Sequence, residues 1–190
     1  MKKKILTAVL LVVCMVFSMV LVSCGDDEPS AIDVFETAIE NTNPEKIDGS
    51  VIFSTVEGPL ELKFSAVIAA DGKFTVDYEY TRFNGIEGAA NEYLDETKGT
   101  VTSEDEGILS NVTAAALALD LGADMEYTVS SDGAVLTATV LAEDTEDVFG
   151  VDYGTDVVFT LSQNNNKIVS MTIQYTLESG ENVVAKCSFK

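Results

Sequence analysis

From Leu60 to Thr81 the chain alternates. Leu60, Leu62, Phe64, Ala66 and Ile68 take every second position, with Glu61, Lys63, Ser65 and Val67 between them. Asp71-Gly72 follows. Phe74, Val76, Tyr78 and Tyr80 then alternate with Thr75, Asp77, Glu79 and Thr81. A period of two sends successive side chains to opposite faces of a strand. Asp-Gly between two such runs is a strong hairpin signal, because the tight turn that matches strand twist needs positive φ. The segment reads as two antiparallel strands, apolar on one face and polar on the other. Val51 to Val56 reads as a third strand ahead of them. A sheet that is greasy on one face only needs a cover on that face.

The same grammar returns in the second half. Met125, Tyr127 and Val129 lead to a second Asp-Gly turn at Asp132-Gly133, and Leu136, Ala138, Val140 and Ala142 follow in phase. Val157, Phe159 and Leu161 form another strand, which Asn164-Asn165-Asn166 turns. Val169, Met171, Ile173, Tyr175 and Leu177 alternate with Ser170, Thr172, Gln174 and Thr176. Ser179-Gly180 turns the chain again into Val183, Ala185, Cys187 and Phe189. The stretch from Phe83 to Gly107 is rich in Gly, Asn and acid, with a strand expected over Gly99-Thr100-Val101-Thr102.

Two helices are available as cover. Ser30 is placed to cap a helix over Ala31–Glu40, where Ile32, Phe35 and Ile39 make one apolar stripe. Asn41-Thr42-Asn43-Pro44 ends it. Ile108 to Leu121 reads as a second helix, apolar nearly all round and therefore buried, with Gly122 as its stop. Glu143 to Phe149 suggests a short helical turn. These elements predict an α+β chain, mainly antiparallel: one curved sheet, a half-barrel, of about seven or eight strands wrapped around two helices. A two-sheet sandwich ranks second, because it has no need of a buried helix.

The N-terminus is a separate module. Lys2, Lys3 and Lys4 precede an uncharged apolar run from Ile5 to Val20, the pattern of a secretory signal. Leu21-Val22-Ser23-Cys24 resembles a bacterial lipobox. That resemblance implies a diacylglyceryl group on the Cys24 thiol and cleavage just before it. A plain signal or an uncleaved anchor is the alternative, since the run approaches the length of a membrane span. Two acyl chains suffice for stable anchoring. Gly25 to Ser30 then forms a tether of at most about 20 Å. The organisation expected is signal peptide 1–23, lipidated Cys24 and tether 24–30, and one half-barrel domain over 31–190, on the extracytoplasmic face of the cell membrane.

Composition excludes much chemistry. The chain has no histidine and no tryptophan. Ser-His-Asp and Cys-His catalytic sets are therefore impossible, as is any zinc site that uses histidine. With the leader removed, eight basic residues face 32 acidic ones, a net charge of −24. Such a charge disfavours nucleic acid. Of the three cysteines, Cys14 leaves with the leader and Cys24 carries lipid, so Cys187 has no internal disulfide partner. Its phase with Val183, Ala185 and Phe189 places it in the core.

Glu143 to Asp147 with Asp152 and Asp156 form an acidic stretch that does not match a calcium-binding loop. A solvated loop is expected there, and Glu104-Asp105-Glu106 reads the same way. No cofactor, no metal site and no enzymatic activity are expected.

The order helix, three-strand meander, apolar helix and further strands resembles the half-barrel of LolA-type lipoprotein carriers, and also uncharacterised lipoproteins of Gram-positive bacteria. "DGKFTVDYEYTRFNGIEG", "GAVLTATVLAEDTEDVFG" and "KIVSMTIQYTLESGENVVAKCSF" carry that impression. The resemblance implies a concave face that holds acyl chains or another hydrophobic ligand. The chain departs from it in having Arg82 as its single arginine. Phe64, Phe74, Tyr78 and Tyr80 are the candidate ligand-lining residues, although any sheet core would use the same types. The alternative is a structural or protein-interaction lipoprotein of the envelope with a solid core and no ligand.

Overall fold

The computed structural model describes residues 30–92, 94–121 and 125–190. The signal segment, the lipobox with Cys24, and Gly122 all lie outside the described residues.

Helix α1 covers Ala31–Glu40. Strands β1 (Lys46–Thr55), β2 (Gly58–Ile68) and β3 (Phe74–Phe83) follow, then β4 (Ile86–Glu87) and β5 (Lys98–Thr102). Helix α2 (Ile108–Ala118) leads to β6 (Glu126–Val129) and β7 (Val135–Val140). Helix α3 (Thr145–Phe149) precedes β8 (Val157–Asn164), β9 (Lys167–Thr176) and β10 (Asn182–Phe189). Among the described residues every strand pairing is antiparallel, in the order β6-β7-β8-β9-β10-β1-β2-β3, with β4 and β5 both on the far edge of β3.

Among the described residues the sheet thus has ten strands, not seven or eight. The five-residue β5 and four-residue β6 match the strands expected over Gly99–Thr102 and Met125–Val129, whereas β4, with two residues, is too short to display a period. The cover also includes a third helix, α3.

The first and last strands join the two halves. Val51 of β1 pairs with Ala185 of β10 on one side and with Leu62 of β2 on the other. The row continues through Ile173, Phe159 and Ala138 in one direction and Tyr80 in the other. These residues share the inward face, and one continuous core includes Phe35 of α1, Val112 of α2 and Phe149 of α3. Burying each such phenylalanine contributes about 1.5–3 kcal/mol.

Two bulges break the alternation. Leu62 pairs with Tyr80 but Glu61 pairs with Arg82, so Thr81 is an extra residue on β3. The slip turns Phe83 inward and leaves Arg82 outward, 3.6 Å from Glu61. In the same way Ser162 pairs with Ser170 and Gln163 with Ile168, which makes Val169 the extra residue on β9. Val169 is therefore exposed and Ile168 is buried, the reverse of the phase expected for that strand. A bulge changes the face of every residue beyond it.

The capping of α1 follows the sequence. The Asp33 N–H donates to Ser30 Oγ at 3.2 Å, and the Ser30 N–H donates to Asp33 Oδ2 at 2.7 Å. At the other end Thr42 Oγ1 donates to the Ala38 carbonyl at 2.6 Å and accepts from the Ile168 N–H at 2.8 Å. That hydroxyl fastens α1 to the start of β9.

Helix α2 stops at Ala118, short of Leu121, and Leu119 is extended. The Asp120 N–H donates to the Val148 carbonyl at 2.8 Å, a tertiary bond that replaces the next helical turn. Leu119 and Leu121 remain buried as extended chain.

Candidate functional site

The helices do not cover the inward face evenly. Helix α1 packs on β9 and α3 packs on α2. At the Phe53, Leu62 and Tyr80 end of β1, β2 and β3 the sheet faces the first turn of α2. An open groove of about 210 Å³ remains there. Phe53, Leu62, Tyr78 and Tyr80 form its floor, Val101 of β5 one wall, and Ile108 and Leu109 of α2 the opposite wall. Glu106 and Gly107 stand at the mouth. Ser110 fixes the wall in place, its Oγ donating to the Thr102 carbonyl at 3.2 Å.

The floor is aromatic and ordered by edge-to-face contacts. The Tyr78 and Tyr80 rings meet at 5.7 Å and 85°, and Phe53 meets Tyr80 at 6.3 Å and 75°. Both geometries suit the ring quadrupole. Burial, followed by the neighbouring Tyr78, pushes the Tyr80 phenol above its ordinary 10.0 and keeps it neutral. A small satellite core of Leu60, Phe83 and Ala90 packs beside Phe53 and Tyr80 and supports that end.

Of the four residues singled out in the sequence, Tyr78 and Tyr80 line this groove. Phe64 and Phe74 belong to the main core. Phe64 is held over Gly49, its cross-strand partner. Both phenylalanines also border hollows on the outer side of the sheet. The larger, about 580 Å³, lies among Lys63, Asp77, Glu79 and Lys98, with Lys98 paired to Glu79 at 3.0 Å. It is wide and rimmed by charged side chains, which suits solvent. Sequence phase does not reveal Phe53 as a floor residue, because the β1 strand carries Gly49 and Ser50 and lacks a clean alternation.

The middle of the concave face is filled. Phe149 meets Phe159 at 5.4 Å and Tyr153 at 5.7 Å, and Tyr153 meets Tyr175 at 4.6 Å. Burial raises the Tyr175 phenol to about 12, and burial with Tyr175 and Cys187 nearby pushes Tyr153 far above its usual range. Tyr153 follows Gly150, which adopts a left-handed conformation and closes α3. No periodic pattern points to a core residue inside that loop. Cys187 is buried and its thiol is raised to about 12, so it is neutral at physiological pH. A smaller hollow of about 90 Å³ separates Ile39 and Pro44 from Ala116 and Leu117.

The acidic stretch is used for turns. Asp156 accepts the Ala142 N–H at 3.0 Å and Asp152 accepts the Gly154 N–H at 2.8 Å. Among the described residues no three acidic or thiol groups are gathered as metal ligands. No helix among them is long and apolar enough to cross a membrane.

No protein-family model matches the chain, and no curated protein matches it. Among solved structures the chain is similar to LprF from Mycobacterium bovis, at 11% identity over 86% of this chain and 94% of that one, with a TM-score of 0.44. It is also similar to the LolA superfamily protein NE2245 from Nitrosomonas europaea, at 14% identity over 85% and 92%, with a TM-score of 0.29. The odorant binding protein OBP1 matches at 12% identity over 88% and 77%, with a TM-score of 0.25. Likeness at this level assigns no family.

Proposed function

We propose that the chain is a lipid-anchored, extracytoplasmic binding module without enzymatic activity, and that the groove beneath α2 takes a small hydrophobic group. The observation that carries this reading is the aromatic groove itself, where Phe53, Tyr78 and Tyr80 of the sheet meet open space beside the first turn of α2. Its volume of about 210 Å³ is below the roughly 300–1,000 Å³ of sites that enclose a drug-sized molecule. It fits a headgroup or the end of a chain, not a whole lipid. The lipobox-like Leu21–Cys24 supports the anchor, which would hold the groove near the bilayer surface.

One observation favours a second reading. Phe149, Tyr153, Phe159 and Tyr175 occupy the middle of the concave face, as a ligand-free structural protein of the envelope would have it. Native mass spectrometry of protein extracted gently from cells separates the two. The binding reading expects an apolar compound on the wild type that is lost when Val101→Trp fills the groove, with the circular dichroism unchanged. Bare chain mass from both proteins contradicts it. For the anchor, Cys24→Ala is expected to leave the membrane fraction, and retention there would refute lipidation.

A further inference from the structure

The groove has a sign. No basic side chain lines it, and Glu106 stands at its mouth, exposed and without a salt bridge among the described residues. The N-terminus of α2 brings about half a positive charge to the same place. Glu106, two residues before the first helical position, opposes it, while Asp105 is turned onto β5, where its Oδ2 accepts from the Thr102 N–H at 2.7 Å and the Thr102 hydroxyl at 2.9 Å. Glu104, which precedes them, is already paired with Lys73 at 2.9 Å. The −24 net charge of the processed chain adds a long-range pull in the same direction.

We propose that the groove recognises a cationic nitrogen carrying apolar substituents, a trimethylammonium group above all, seated against Tyr78, Tyr80 and Phe53 and opposite the Glu106 carboxylate. This deepens the proposed function and rests on it. The reason is complementarity. An alkylated ammonium is apolar in shape, so it fits a small greasy groove, and it is attracted to aromatic faces within about 6 Å. The Tyr80 ring meets both of its neighbours edge to face, which makes a cornered floor. An anionic group of the same shape meets the same rings but is repelled by Glu106. An uncharged one gains burial alone.

The test compares choline with 3,3-dimethylbutan-1-ol, its uncharged isostere, which differs by carbon in place of nitrogen. The full-length chain is held in phosphatidylglycerol nanodiscs and binding is read from the methyl resonances of Leu62, Val101, Ile108 and Leu109. Choline is expected to bind about tenfold more tightly than the isostere. Glu106→Gln is expected to remove most of that difference. Glu40→Gln, which makes the same change in net charge on α1, is expected to keep it. Tyr80→Leu is expected to lower choline affinity more than isostere affinity.

Equal or tighter binding of the isostere, or a choline preference that survives Glu106→Gln, overturns the cationic inference and leaves the apolar groove standing. Silence of the groove resonances with both compounds overturns the groove reading as well. A trimethylammonium group exists both as a free solute and as a lipid headgroup. Phosphatidylcholine nanodiscs distinguish the two: shifts without added choline assign the headgroup, and shifts only with added choline assign the solute.

Discussion

Gly49 and Phe64 are cross-strand partners, and the ring of Phe64 occupies the space where a side chain at position 49 would stand. A Cβ on Gly49 would fall 2.5 Å from Phe64 Cζ and would also press on the Lys186 carbonyl of β10. Tyr78 and Gly99 repeat the arrangement one pair further along the same row. In both places a glycine that weakens a strand locally gives an aromatic ring room to lie flat. Gly49→Ala is expected to lower stability by about 1–3 kcal/mol through overpacking. Urea unfolding measures it. In the double variant with Phe64→Leu the two costs should sum to less than their separate values, because they share one contact. Full additivity would mean the ring does not depend on the glycine.

Thr113 lies within α2, fully buried, and its Oγ1 has no hydrogen-bond partner. A buried hydroxyl without a partner costs about 1–3 kcal/mol relative to an apolar group of its shape. Thr113→Val is therefore expected to leave the protein as stable or up to about 1 kcal/mol more stable. A clear loss in the urea midpoint would show that the hydroxyl has a partner.

Thr42 makes the opposite case. Its hydroxyl serves the Ala38 carbonyl and the Ile168 N–H together, and it joins residues 126 positions apart in the chain. Thr42→Val keeps the shape and leaves that N–H unpaired. The expected cost is about 1–3 kcal/mol. Hydrogen exchange at Ile168 should accelerate in the variant, and an unchanged rate would refute the fastening role.

Alkaline pH tests the buried tyrosine and thiol group. In the unfolded chain the thiol ionises near 9.0 and the phenols near 10.0, whereas the folded protein holds the protons of Cys187 and Tyr175 to about 12. Above pH 9 the unfolded state binds fewer protons than the native state, so stability falls as pH rises. The contribution of these groups is complete below pH 9 and is lost on the climb toward 12. Urea midpoints taken between roughly pH 7 and 11 should decline from about pH 9. Tyr175→Phe should flatten the decline, and a level profile in the wild type would contradict the burial of Cys187 and Tyr175.

The class of the fold was legible because one-sided alternation is dictated by burial on one face. Residues 60–68 and 74–80 show it without interruption, and the Asp-Gly turns carry the required positive φ at Gly72 and Gly133. The bulges at Thr81 and Val169 were not legible. Each adds one residue for reasons of pairing across the sheet, and Val169 is as apolar as the Ile168 that replaces it inside. The two-residue β4 carries too few residues to show a period. The site was half legible. Tyr78 and Tyr80 lie at groove positions because α2 only begins there, and no local pattern separates them from Phe64 and Phe74. Tyr153 owes its burial to a loop packed against Tyr175, a contact that only the fold creates.

The central claim is that the middle of the concave face is solid and that a small apolar group binds beneath the first turn of α2. The most direct measurement is a titration of the full-length protein in nanodiscs with 3,3-dimethylbutan-1-ol, followed by methyl NMR. Saturable shifts confined to Leu62, Val101, Ile108 and Leu109, with Val148 and Ile173 unmoved, are the predicted result. Shifts centred on Val148 and Ile173, or no saturable shift anywhere, would contradict it.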